Sequence, residues 1–186
     1  MAGGLDAKAQ DRMLAWLDTQ GRRIAEPTWF LEALGEQLGR AGIGVDRLTT
    51  GVPIIHPQID SSSALWRRGE PAAERLFALD AGGFERLASS PIFGVYQGGP
   101  AVRARLEGPP PVPDYPIYAD LRTEGMSDYL VLPAPFSDGT TKAMTFATRR
   151  RGGFTDAELR LLEALMPTLA LILEVEALRR TALTLM

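Results

Sequence analysis

Apolar residues recur at helical spacing over residues 5–20, where Leu5, Ala9, Met13, Trp16 and Leu17 share one face and Gly21 ends the run. Pro27, whose fixed φ suits a first helical position, opens a second helix that turns Phe30, Leu34, Leu38 and Ala41 towards a core before GIGVD breaks it. The period then changes to two. Leu48, Thr50, Val52, Ile54 and His56 alternate with Thr49, Gly51, Pro53 and Ile55, as a strand requires. Pro53 cannot donate a ladder hydrogen bond, which predicts a free edge or a bulge there. DSSS turns the chain into a return strand at SALWRRGE, and short helical pieces follow over residues 71–79, 83–88 and around SPIFGVYQGG. AVRARLEG alternates again as a half-buried strand, and PPPVPDYP is a stiff connector. Residues 116–124 read as a helix closed by Gly125, and SDYLVLPAPF and TTKAMTFATRR flank the turn SDGT as a hairpin. Helices gathered at both ends of a mostly antiparallel sheet make an α+β domain, with a long C-terminal helix packed on that sheet.

That last helix carries more apolar surface than one face can use. Thr155 and Glu158 form a capping box at its start, with Phe154 and Leu159 placed as a hydrophobic staple. Leu162, Leu165, Met166, Leu169, Ile172 and Leu173 make one stripe, which stops at Glu176. Leu161, Ala164, Thr168, Leu171, Val175, Leu178, Ala182 and Leu185 make a second, spaced alternately by three and four residues up to the chain end. The first stripe is assigned to the domain's own sheet. The second, represented by Leu171, Val175, Leu178, Ala182 and Leu185, is assigned to a partner helix. Pro167 is expected to bend the helix between its packed and projecting parts. Burying five Leu or Val side chains contributes on the order of 8–15 kcal/mol before entropy, so some surface must cover the stripe. The competing reading folds the last dozen residues back onto the first helix of the same molecule, and a tail ending in mid-seam predicts a chain that continues.

Composition narrows the chemistry. The chain has 186 residues, enough for one packed domain, and a net charge of −3 with no general attraction for nucleic acid or an anionic membrane. No cysteine is present, which removes disulfides, thiolate metal sites and cysteine nucleophiles, and a single histidine leaves little for zinc or a catalytic triad. No phosphate-loop, dinucleotide or hydrolase-elbow motif occurs, so no catalytic or metal site is assigned. The N-terminus has no stretch apolar enough for a signal peptide or membrane span, which points to the cytoplasm.

A few residues remain as binding candidates. His56 is the one side chain able to ligate a haem iron or titrate near neutral pH; its other reading is a histidine that merely ends a strand. Arg67, Arg68, Arg103 and Arg105 either converge on an anionic ligand or form a solvated sheet face. Trp66, Phe93, Tyr96, Tyr118 and Tyr129 are the aromatic stock for a pocket or for the core. The ligand-site candidates are therefore His56, Trp66, Arg68, Tyr96, Arg103 and Tyr129, with no cofactor identified beyond a possible haem.

The hairpin over residues 128–148 followed by GGFTDAELRLLEALMPTLALILE resembles the close of a GAF domain, a small-molecule sensor module of signalling proteins. The phrase over residues 154–162 carries the likeness. LWRRGE, SPIFGVYQGG and the tail EALRRTALTLM are similar to the N-terminal regulatory region of proteobacterial class III adenylate/guanylate cyclases. The resemblance implies a GAF-like fold, with residues 1–24 as an N-terminal helix, 25–174 as the sensor domain and 175–186 as the start of a signalling helix. It further implies a homodimer paired through the terminal helices, a small-molecule ligand and a cyclase domain following in cis. The alternatives are a haem-based gas or redox sensor and a dimerisation scaffold without a ligand. FSDGT superficially matches the opening of a cyclase metal motif, and reads as the hairpin turn.

Overall fold

The computed structural model describes the backbone of residues 3–56, 59–78 and 81–184, and the side chains of residues 7–51, 62–75 and 85–183. Helices α1 (Gly3–Thr19) and α2 (Pro27–Arg40) lead into strands β1 (Arg47–His56), β2 (Ile59–Arg67) and β3 (Ala73–Ala78). After these come α3 (Ala81–Ala88), α4 (Pro91–Tyr96), β4 (Val102–Arg105), α5 (Pro116–Thr123), β5 (Asp128–Pro135), β6 (Thr141–Thr148) and α6 (Asp156–Thr184). The strands form one six-stranded sheet in the order β3-β2-β1-β6-β5-β4, with every neighbouring pair antiparallel.

Alternation along the strands gives this sheet two working faces. One carries Leu48, Ala64, Trp66, Leu130, Leu132, Met144 and Phe146 into a core shared with Leu31, Leu34 and Leu38 of α2 and with α1 and α6. The other packs Ala104, Tyr129, Val131, Ala143 and Ala147 against Val95 of α4 and Tyr118 and Leu121 of α5. The α5 helix is set by Pro116 at its first position, and α4 by Pro91 with the Ser90 hydroxyl accepting from the Ile92 amide at 3.3 Å.

Pro53 lies where the sequence places a bulge. The β1–β2 register shifts between Pro53 and His56, and the β1–β6 pairing covers only Arg47 to Thr50. Two elements differ from expectation. DSSS, expected as the turn into the return strand, lies within β2, where Ser61, Ser62 and Ser63 pair with Pro53, Val52 and Gly51 of β1 and continue the ladder. Residues 71–79, expected as a helical piece, contain strand β3, because the Arg67–Ala73 turn returns the chain alongside β2. Gly69 takes a φ of +85° in that turn, and Glu32 of α2 accepts from the Ala72 amide at 2.6 Å, fixing the entry of the strand. Tertiary pairing overrides the local helix propensity of AAERL.

The α6 helix runs unbroken through the exposed Pro167 for 29 residues, about 43 Å. Its capping box forms: the Thr155 hydroxyl accepts from the Glu158 amide at 3.3 Å, while the Glu158 carboxylate accepts from the Thr155 amide at 2.8 Å. Leu162, Leu165, Met166, Leu169 and Leu173 are buried as assigned, with Ile172 partly so. Leu161, read on the outward stripe, is also buried, because the α1 residues Ala9, Met13 and Leu17 close over the same core. Nor does the helix leave the body at Glu176: Arg180 donates to Ser62 at 2.8 Å and to Glu74 at 2.5 Å, tying its far end to β2 and β3. No helix among the described residues is long and apolar enough to cross a membrane.

Candidate functional site

On the face covered by α5, two arginines sit directly opposite one another, Arg47 on β1 and Arg67 on β2. Like charges in that relation repel unless an anion lies between them. Glu124, just past the end of α5, supplies it. Arg67 donates to its two carboxylate oxygens from Nε at 3.0 Å and Nη2 at 2.8 Å, a bidentate pair that raises the Arg67 pKa and lowers that of Glu124. Arg47 is left with an ion-pair contact from Nε to Glu124 at 3.5 Å, and that buried Nε has no hydrogen bond among the described residues. Its side chain is only 8% exposed, and burial lowers its pKa from the usual value. An open cavity of about 340 Å³ lies beside it, walled by Arg47, Arg67 and Arg75 from the sheet and by Ile117, Asp120 and Glu124 from α5 and its end.

Tyr129 shares the strand row of Arg47 across β6 but belongs to the packed layer. It is 2% exposed, meets Tyr118 edge-to-face at 6.2 Å, hydrogen-bonds Thr145, and is pushed up to about 12 by burial. The other candidates lie elsewhere. Trp66 is on the opposite face beneath α2. Arg68 pairs with Asp46 at 2.9 Å and also donates to the Val45 carbonyl. Tyr96 is half-buried at the end of α4, with Lys142 Nζ 5.5 Å above its ring. Arg103 pairs with Asp128, and Arg105 reaches the same carboxylate and the Gly152 carbonyl. His56 closes β1 opposite Ile59, and its side chain lies outside the described residues.

The four arginines read together therefore do not converge; Arg67 alone lines the cavity, joined by Arg47, Arg75 and Glu124, which sequence reasoning missed. The signal was in the register. Only after β1 and β2 are paired does Arg47 face Arg67, and only α5 brings Glu124 to both.

The first turn of α6 is anchored by a second polar node. Glu158 accepts from the Gly44 amide at 3.1 Å and from Arg150 Nη1 at 2.9 Å, besides its capping bonds to Thr155. Burial alone would raise its pKa, but these donors hold it at about 2 against an ordinary 4.5. A carboxylate depressed in the folded state stabilises fully above its unfolded pKa and loses that contribution as pH falls through the folded one. Glu158→Gln is therefore expected to cost about 2–3 kcal/mol at neutral pH. The loss should shrink between pH 4.5 and 2, where wild type loses the same contribution. Urea unfolding of both proteins at several pH values measures it; a pH-independent difference would contradict the assignment.

From Leu171 onwards the outward stripe is open. Leu171, Val175 and Leu178 are 64%, 52% and 64% exposed, and Ala182 is exposed as well; Leu185 lies outside the described residues.

No protein-family model matches the sequence, and no curated protein matches it. Solved structures do. The GAF domain of a two-component sensor histidine kinase from Bacillus halodurans superposes with a TM-score of 0.57 at 12% identity, covering 80% of this chain and 94% of that one. The GAF domain from a Coxiella burnetii phosphoenolpyruvate-protein phosphotransferase gives 0.55 at 14% identity, with 100% of both chains covered. The chain has a GAF-like fold. The phycoerythrobilin-bound GAF domain from a cyanobacterial phytochrome gives 0.54 at 15% identity, over 94% of this chain and 97% of that one. At these identities the likeness is one of architecture, so the chemistry of the GAF-like sheet has to be argued from this chain's own residues.

Proposed function

We propose that this chain is the regulatory sensor and dimerisation module of a signalling protein. In this reading α6 carries the state of the GAF-like body to a following output domain, and the sequence resemblance to cyclase regulatory regions makes that output an adenylate/guanylate cyclase. The observation that supports it is the division of labour along α6. Its inward stripe is consumed by the sheet as far as Leu173, while Leu171, Val175 and Leu178 remain more than half exposed on the other side. Three large aliphatic residues held in line at spacings of four and three form a seam for a second helix, and Ala164, Thr168 and Ala182 let two axes approach. Two copies meeting there would place their chain ends side by side, which suits an output domain that works as a pair.

Sedimentation equilibrium tests the pairing. The full chain is expected to be a dimer, and Leu171→Glu and Leu178→Glu to be monomers with unchanged far-ultraviolet circular dichroism, since both residues are exposed in the single chain. A wild-type monomer at all concentrations, or variants that remain dimeric, would overturn the reading.

A further inference from the structure

The sensor reading leaves the ligand unnamed, and the cavity beside Arg47 supplies its chemistry. A guanidinium taken out of water needs hydrogen-bond acceptors for its fork of donors. Glu124 satisfies Arg67 with two hydrogen bonds, and its remaining reach to Arg47 is the 3.5 Å contact alone. Arg47 thus brings a positive charge and a buried, unbonded Nε to a cavity it lines, and among the described residues it makes no other polar contact. Arg75 adds a further positive charge close enough to lower the Arg47 pKa. Three guanidiniums against the carboxylates of Asp120 and Glu124 leave the walls with one surplus positive charge, and Ile117 gives them an apolar patch.

We propose that this cavity binds a small organic anion through its phosphate or carboxylate group, with Arg47 and Arg75 as direct ligands and the Arg67–Glu124 pair as a fixed wall. Bidentate acceptance from guanidinium is geometry that both oxyanions offer. The volume of about 340 Å³ suits a metabolite-sized molecule. The route to α6 is short: Gly44, whose amide donates to Glu158 in the first turn of α6 at 3.1 Å, precedes Arg47 by three residues. Asp46 between them accepts from the Arg149 amide at 2.8 Å, just beyond β6. An anion that draws on Arg47 therefore acts on the segment that holds the start of the signalling helix. Only this consequence at α6 rests on the sensor reading; binding itself does not.

Calorimetric titration of the full chain with inorganic phosphate, and separately with succinate, at constant ionic strength in chloride tests the site. Saturable binding of one or both is expected, weakened at least tenfold in Arg47→Met and in Arg75→Ala. Phosphate alone would identify a phosphorylated ligand, succinate alone a carboxylate. Because Arg47 lacks a structural hydrogen bond, Arg47→Met is also expected to melt at or above the wild-type temperature. Arg75 is exposed, so Arg75→Ala leaves the fold intact and serves as the second variant. Absence of saturable binding with both anions, or affinity undiminished in Arg75→Ala, overturns the proposal whatever the oligomeric state. Binding that behaves as expected in a chain that never dimerises would keep the site and remove the sensor reading.

Discussion

Asp128→Ala is expected to cost the domain about 3–5 kcal/mol, a loss characteristic of removing one partner from a buried charge network. The carboxylate is fully buried at the start of β5. It accepts from Arg103 Nη2 at 2.7 Å and Nε at 3.1 Å, and from the Phe154 amide at 2.9 Å. Arg103 continues to the Phe154 carbonyl at 2.8 Å, so one anion joins β4, β5 and the residue that leads into α6. Space is as tight as charge: Gly153 has a φ of +71°, and a Cβ there would stand 2.7 Å from Asp128 Cβ and Cγ. Alanine at 128 leaves Arg103 facing a hole, with the Phe154 amide unpaired. Urea unfolding should show a midpoint shift at constant m, and hydrogen exchange should show earlier opening of the first turn of α6. A loss below about 1 kcal/mol would mean that water replaces the carboxylate freely and that the node does not hold the helix.

Strand and helix periods made most of this fold legible. Alternation over Leu48–His56 and in AVRARLEG, the prolines at 27, 91 and 116, and the capping box at Thr155 all act within a few residues, and each forms where the sequence puts it. What escaped reading depends on partners distant in sequence. Strand β3 looks helical until β2 is beside it. Arg103 and Arg105 look like a solvated face until Asp128 of β5 and the carbonyls of Phe154 and Gly152, ahead of α6, take their hydrogen bonds and charge. Leu161 looks outward until α1 arrives. The cavity is the extreme case, since Arg47, Arg67 and Glu124 are brought together by one strand register and one helix packing, and no two of them are neighbours in the chain. Local pattern specifies elements; it is silent on which charges a fold will force together.

Trp66→Ala is expected to cost about 3–5 kcal/mol, the usual loss for emptying a buried aromatic site. Trp66 is 6% exposed in β2 and sits in the core between the sheet and α2. Its ring lies so close to that helix that a Cβ on Gly35 would come within 2.5–2.6 Å of three ring atoms. Glycine is a poor helix former, and alanine in its place would ordinarily stabilise α2 by about 1 kcal/mol. Here the ring reverses the sign. Gly35→Ala alone should destabilise by about 1–2 kcal/mol through overpacking, whereas in the Trp66→Ala background, with the ring gone, the same substitution should stabilise. A double-mutant cycle by urea unfolding reads this reversal directly. A tryptophan that served a ligand rather than the core would leave both substitutions nearly independent, and the stability of the unliganded protein would hardly register its loss.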